Sequence, residues 1–283
     1  MDLVEKIKIL QNHLKVRNFK KVIEGSKVLL NKMPNNDYLL NITGMAYQGL
    51  SQHDNSIKCF NRALKHSPNN LAAMNNLANS LKAIGKLEES KDLYENILKI
   101  NPNYINAYNN YANLKTLVND YDGAIQLYKK AYSIIEKMDN VPNSTVTGIL
   151  FSLAAAYQSA NKIEETQEIV KKILSIDPSH VGAHKLTGSL IKYSNDNEES
   201  MKHIKEMEEV DKQINDQDLL KKVDISYALG KSYEDLKNYE KAFHYLSKAN
   251  QLKFDKKGSN LEAEKKAIRN IIKIFEGIDL KNS

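Results

Sequence analysis

Residues 71–104 read LAAMNNLANSLKAIGKLEESKDLYENILKINPNY, and residues 105–138 read INAYNNYANLKTLVNDYDGAIQLYKKAYSIIEKM. They are one unit written twice, aligned without a gap at 34 residues. Asn75-Asn76-Leu77-Ala78-Asn79 falls on Asn109-Asn110-Tyr111-Ala112-Asn113, and Tyr94 falls on Tyr128. A fixed period of this length marks a stacked repeat architecture, in which each unit packs on its neighbours and length grows without a deeper core. The composition agrees: 283 residues, 41% hydrophobic, 27% charged and poor in Gly and Pro, as in a mostly helical chain.

Extended outward, the register yields seven units: 3–36, 37–70, 71–104, 105–138, 147–180, 181–214 and 223–256. Pro34, Pro68, Pro102 and Pro178 close units. Proline cannot continue a helix and drives the preceding residue to extended geometry, so each separates consecutive helix pairs. The eighth place of a unit is small at Gly44, Ala78, Ala112, Ala154, Gly188 and Gly230, and the twentieth is often small too, as at Ser56, Ser90, Ala124 and Ala242. Two antiparallel helices approach closely only where one side is small, with bulky residues filling the space above and below. The first unit departs from this, with Leu10 and Val22 at those places.

This pattern resembles the tetratricopeptide repeat, most closely over 37–70 with Leu40, Gly44, Tyr47, Ser56, Phe60, Ala63 and Pro68. The resemblance covers residues 3–256 and implies an all-α fold: a right-handed α-solenoid of about seven helix-turn-helix units. Two interruptions stand out. The last helix of the fourth unit is expected to run through Ile134, Ile135 and Met138, before the insertion MDNVPNST. The sixth unit is extended through VDKQINDQDLLKK, where Asp218 is placed to cap the next helix. Both read as long connections between units. After Ser259, whose spacing to Glu262 makes a capping box, Leu261, Ile268, Ile271, Ile272, Phe275 and Ile278 recur at helical spacing. Residues 259–279 are therefore expected to form an amphipathic helix that caps the last unit or links it to a further segment.

Catalytic chemistry is not visible. Gly230-Lys231-Ser232 has the tail of a phosphate-binding loop, but Ile225 stands where that motif requires glycine. His180 and His184 have a spacing able to hold a metal, yet one lies in a turn and the other at a core position. No Ser-His-Asp set is recognisable. Tyr47, Tyr94, Tyr128 and Tyr157 occupy packing places and read as core. Neither a metal nor a cofactor is expected.

In the fold the resemblance implies, the first helix of each pair lines a concave face. Asn41, Asn75, Asn76, Asn79, Lys82, Asn106, Asn109, Asn110, Asn113, Lys185, Lys192 and Lys231 then become the candidate partner-binding residues. Asparagine is a poor helix former, so its concentration on helices opposes local propensity. Amides at equal steps are able to hold the backbone of an extended peptide without reading its side chains. The double Asn resembles the asparagine ladder in the repeat region of O-linked N-acetylglucosamine transferase. The competing reading is compositional, since an Asn-rich chain places Asn wherever polarity is tolerated.

The expected role is a non-catalytic scaffold for a partner protein or extended peptide, with no nucleic acid and no membrane as partner. Residues 223–275 also resemble the junction in bacterial sulfotransferases that carry these repeats, through Ala242, Tyr245, Ala249 and Asn250. That resemblance implies a catalytic domain beyond this chain. The single cysteine, Cys59, suits a reducing compartment, and the first residues lack the apolar core of a secretion signal. A cytoplasmic location is expected.

Overall fold

The computed structural model describes residues 3–257. Among the described residues there are fourteen α-helices and no strand. The described residues divide into two compact bodies, one ending at Lys162 and the other starting at Ile163.

The first body holds α1 (Leu3–Lys15), α2 (Phe19–Lys32), α3 (Asp37–Gly49), α4 (His53–His66), α5 (Leu71–Ala83), α6 (Leu87–Ile100), α7 (Ile105–Leu117), α8 (Tyr121–Ile135) and α9 (Asn143–Ser159). Consecutive helices pack as hairpins, α1 on α2, α3 on α4, α5 on α6 and α7 on α8, and each second helix also packs on the next first helix. The second body holds α10 (Ile163–Ile176), α11 (Val181–Leu190), α12 (Glu198–Gln213), α13 (Leu219–Asp235) and α14 (Tyr239–Lys257).

Small residues set the close approaches. A Cβ on Gly44 would lie 2.4 Å from the ring of Phe60, which is fully buried. One on Gly230 would lie 2.6 Å from Leu246. The first pair achieves the same closeness with the sizes exchanged, since Leu10 is large but packs against Gly25, where a Cβ would lie 2.6 Å from its Cδ2. Leu10 and Val22 are both buried.

The turn inside each pair has one stereochemical signature. Arg17, Ser51, Gly85, Asn119, Asn161 and Lys237 all have φ between 57° and 82° and stand at the fifteenth place of their repeats. At each, the backbone bonds of a Schellman ending recur. Ser51 N–H donates to Gln48 O and Gln52 N–H to Tyr47 O, at 2.9 Å each. Gly85 with Lys86, and Asn119 with Asp120, repeat the pattern one and two units on. The sixth repeat breaks it. Its first helix, α11, ends at Leu190, and Ile191 turns to extended backbone (φ −119°, ψ 155°). The ring of Tyr193 then enters the core, its hydroxyl 3.4 Å from where a Cβ on Gly188 would sit.

Three local expectations change. α8 stops at Ile135, where Lys137 and Met138 bond back only three residues, to Ile134 O and Ile135 O, and the tighter turn ends the helix before Met138. α9 starts at Asn143 behind Pro142, four residues ahead of the register. Asp218 occupies the N-cap position of α13 without a side-chain cap hydrogen bond, and its carboxylate pairs with Lys221 Nζ at 3.0 Å. The amphipathic stretch 259–279 lies outside the described residues.

Candidate functional site

The doubled unit repeats its hydrogen bonds as well as its letters. Asn76 Nδ2 donates to Asn41 Oδ1 at 3.1 Å, and one repeat on, Asn110 Nδ2 donates to Asn75 Oδ1 at 3.0 Å. These amide bonds join α3 to α5 and α5 to α7. Within each repeat a tyrosine of the second helix aims at the first: Tyr94 Oη donates to Asn79 Oδ1 and Tyr128 Oη to Asn113 Oδ1, both at 2.7 Å. Burial pushes the Tyr94 phenol up to about 12 and raises that of Tyr128, so both remain protonated donors. Gln48 Nε2 completes the set by donating to Asn76 O and Ser80 Oγ at 2.8 Å each.

The consequence is a division of each amide. Asn79 and Asn113 spend their oxygens on tyrosine and keep their NH2 groups uncommitted among the described residues. Asn76 and Asn110 spend an N–H and keep their oxygens. All four are partly exposed. Asn75 differs from the expectation: at 6% exposure it is buried and serves as an acceptor between helices, so it presents nothing to a partner. Asn41 is likewise an acceptor for its neighbour, though partly exposed. Asn109 is half-buried, while Asn106 is exposed near the start of α7. Lys82 is half-buried on α5, where loss of solvent lowers its ammonium pKa.

The three lysines of the second body are placed differently from one another. Lys185 is exposed and pairs with Asp224 at 2.7 Å. Lys192 falls beyond the end of α11 and sits in the connection to α12, because the helix that would carry it stops at Leu190. Lys231 is turned inward: its Nζ donates to Ile191 O at 3.0 Å and to Asp235 Oδ2 at 2.6 Å, and lies over the Tyr193 ring.

A polar core cluster in the second body had only one visible sign in the sequence, His184 at a core place. His184 Nε2 lies 2.8 Å from Pro178 O, His184 Nδ1 lies 2.9 Å from His203 Nε2, and His203 Nδ1 lies 2.7 Å from Tyr193 Oη. A carbonyl only accepts, so His184 donates through Nε2. Its Nδ1 then accepts from His203, and His203 Nδ1 accepts from the tyrosine. The chain is satisfied with both imidazoles neutral. Burial lowers both pKa values, that of His203 to about 4. Among the described residues, no group of three or more His, Cys, Asp or Glu is arranged to hold a metal ion. No described helix is long and apolar enough to cross a membrane.

Tetratricopeptide-repeat models match residues 39–70, 69–137 and 223–256. These stretches of the chain carry tetratricopeptide repeats. Solved structures extend that fold beyond the matched segments. A tetratricopeptide repeat protein from Parabacteroides merdae superposes with a TM-score of 0.59 at 17% identity, over 94% of this chain and 96% of that one. The C-terminal part of a tetratricopeptide repeat-containing protein from Cytophaga hutchinsonii gives 0.59 at 13% identity, over 87% and 94%. A thermophilic tetratricopeptide repeat protein from Thermus thermophilus gives 0.56 at 15%, over 66% and 97%. These likenesses concern the fold alone: the helical-repeat solenoid. No curated protein sequence matches the chain.

Proposed function

We propose that the chain is a non-catalytic scaffold that holds an extended segment of a partner protein along the amide row of α3, α5 and α7. Tetratricopeptide repeats generally serve as protein-interaction scaffolds, which sets the class. The observation that carries the finer reading is the division of amides. Asn79 and Asn113 offer donors, and Asn76 and Asn110 offer acceptors, each pair set one repeat apart. A peptide backbone alternates the complementary groups, so such a row grips main chain with little regard for sequence. Tyr94 and Tyr128 orient the two donors in advance, which reduces the entropy lost on binding.

The test uses the full chain as bait in the source cells, beside an Asn79→Ala/Asn113→Ala variant. Those two residues lie outside the amide bonds that join one repeat to the next and are partly exposed, so the variant should keep its helical circular dichroism. Wild type should retain a partner that the variant loses. Equal retention by both would remove the reading.

An alternative reading places these repeats ahead of a sulfotransferase domain. It rests on Ala242, Tyr245, Ala249 and Asn250, whose roles here are those of repeat packing. Ala242 and Ala249 are buried, Tyr245 stacks on Tyr233, and Asn250 accepts from Tyr227. Sequencing the natural reading frame and its neighbours for a phosphosulfate-binding domain decides it.

A further inference from the structure

The charge of this chain is concentrated at one end. Residues 1–36 contain eight Lys and Arg against three Asp and Glu, a net +5 of the chain's +6. Residues 37–162 hold twelve against ten, and residues 163–283 hold twenty-one against twenty-two. Four of the eight lie within seven residues around the α1–α2 turn: Lys15, Arg17, Lys20 and Lys21. All four are exposed, with Val16 between them 71% exposed. Lys27 and Val28 continue the exposed face along α2, Val28 being 60% exposed.

Among the described residues none of these cations lies within ion-pair distance of a carboxylate, although the exposed Glu24 shares the same face of α2, one turn from Lys20, Lys21 and Lys27. Elsewhere in the same body some lysines pair with a carboxylate, as Lys86 does with Glu89, Lys115 with Asp120 and Lys162 with Asp122. Among the described residues, none of the basic side chains of α1, α2 or their turn makes an ion pair. Like charges set side by side repel and weaken a fold, so a cluster left unpaired beside exposed valines has no stabilising role of its own. From this we infer that the α1–α2 turn and the outer face of α2 form a second docking surface, whose occupant is an acidic polypeptide segment carrying interspersed aliphatic side chains. The surface is distinct from the amide row and does not depend on it.

Charge complementarity selects an anion, and the remaining chemistry selects among anions. Nucleic acid is disfavoured because the one aromatic ring of the turn, Phe19, packs half-buried against Val22, Ile42 and Ala46 and is not presented for stacking on bases. Only one of the four cations is an arginine, so planar bidentate recognition of phosphate is scarce. A bilayer is disfavoured because the exposed apolar residues beside the cations are short valines, without the large aromatic or leucine side chains that anchor interfacial helices. Lysines spaced among valines suit carboxylates spaced among aliphatics.

The test is fluorescence anisotropy on the full chain with three probes: a labelled peptide of Glu with interspersed Val, a labelled DNA duplex, and vesicles of phosphatidylserine and phosphatidylcholine. The acidic peptide should bind most tightly, and its affinity should fall as salt rises, since the contacts are exposed and screened. Changing Lys15, Arg17, Lys20 and Lys21 together to Gln should weaken peptide binding by about tenfold or more. Changing Lys129 and Lys130 to Gln should leave it unaltered. The Asn79→Ala/Asn113→Ala variant should bind the acidic peptide normally, which separates this surface from the amide row. Unchanged peptide affinity in the quadruple variant, or tighter binding of duplex or vesicle than of peptide, would overturn the inference. If the quadruple variant loses helicity, Arg17→Gln alone, at an exposed position, should still weaken peptide binding measurably, and no change there would also overturn it.

Discussion

In residues 71–138 helices are joined by buried phenols that donate to partly exposed amides, whereas in residues 181–214 they are joined by two imidazoles and a phenol inside the core. Both arrangements hold a first helix to its neighbours. They differ in what remains afterwards. Each amide has more hydrogen-bonding capacity than its neighbours consume, so a row of them keeps a donor or an acceptor facing outward. The histidine chain is consumed completely, from the Pro178 carbonyl through His184 and His203 to Tyr193. The first pattern leaves groups to offer a partner and recurs from one unit to the next across α3, α5 and α7. The second replaces a regular turn with a single fitted core and offers none.

The comparison breaks most visibly at His203. His203→Ala would leave His184 Nδ1 and the Tyr193 hydroxyl without partners inside a void. It should destabilise by about 3 kcal/mol, read from urea unfolding of the full chain. Acid should act on the same place and spare the amide row. The folded pKa of His203, about 4, lies below the ordinary histidine value, as does that of His184. Protons therefore favour the unfolded chain as pH drops through about 6.5, and stability present above that value declines toward about 4. Burial is the largest influence on His184 and His180 acts in the same sense, while the Pro178 carbonyl, Glu206 and Asp177 act in the opposite one. The lowered carboxylates, Asp37, Asp120, Asp216 and Asp218, titrate below this window and do not mask it. Moving from pH 7.5 to 5.0 should cost about 2 kcal/mol, and the loss should shrink in His203→Ala.

Two phenol deletions sharpen the contrast directly. Tyr193→Phe leaves a buried imidazole nitrogen unsatisfied and should cost about 2 kcal/mol. Tyr94→Phe frees an amide that still reaches solvent and should cost nearer 1 kcal/mol. Equal costs in matched thermal melts would mean that the two kinds of bond are equivalent. The smallest effect belongs to the turns. Ser51 holds φ 58° with a side chain, and Ser51→Gly should raise stability by about 0.5–1 kcal/mol in the same melts.

The sequence alone made the helix pairs legible, because the small eighth place and the closing prolines recur in phase. Gly44 facing Phe60 is the kind of contact such spacing implies. The end of α11 was not legible, since Gly188 and the positions around it keep the helical register. What ends the helix is the gain from burying Tyr193 against His203, a partner ten residues away that no local propensity reports. The asparagines were legible as a row but not as a circuit. That Asn75 faces Asn110, and Tyr94 faces Asn79, depends on side-chain direction, which the letters do not encode. Charge shows the same limit, since a total of +6 conceals its concentration in the first helix pair.

The amide bonds from Asn76 to Asn41 and from Asn110 to Asn75 run between repeats and not within them. In a linear array, the strength of such nearest-neighbour links determines how far a local opening spreads. Three successive first helices fastened in this way should fray together or not at all. Residues 37–117 should therefore exchange their amide protons as one cooperative block. A partner laid along α3, α5 and α7 would meet a surface that is already set, and binding would not have to wait for it to form.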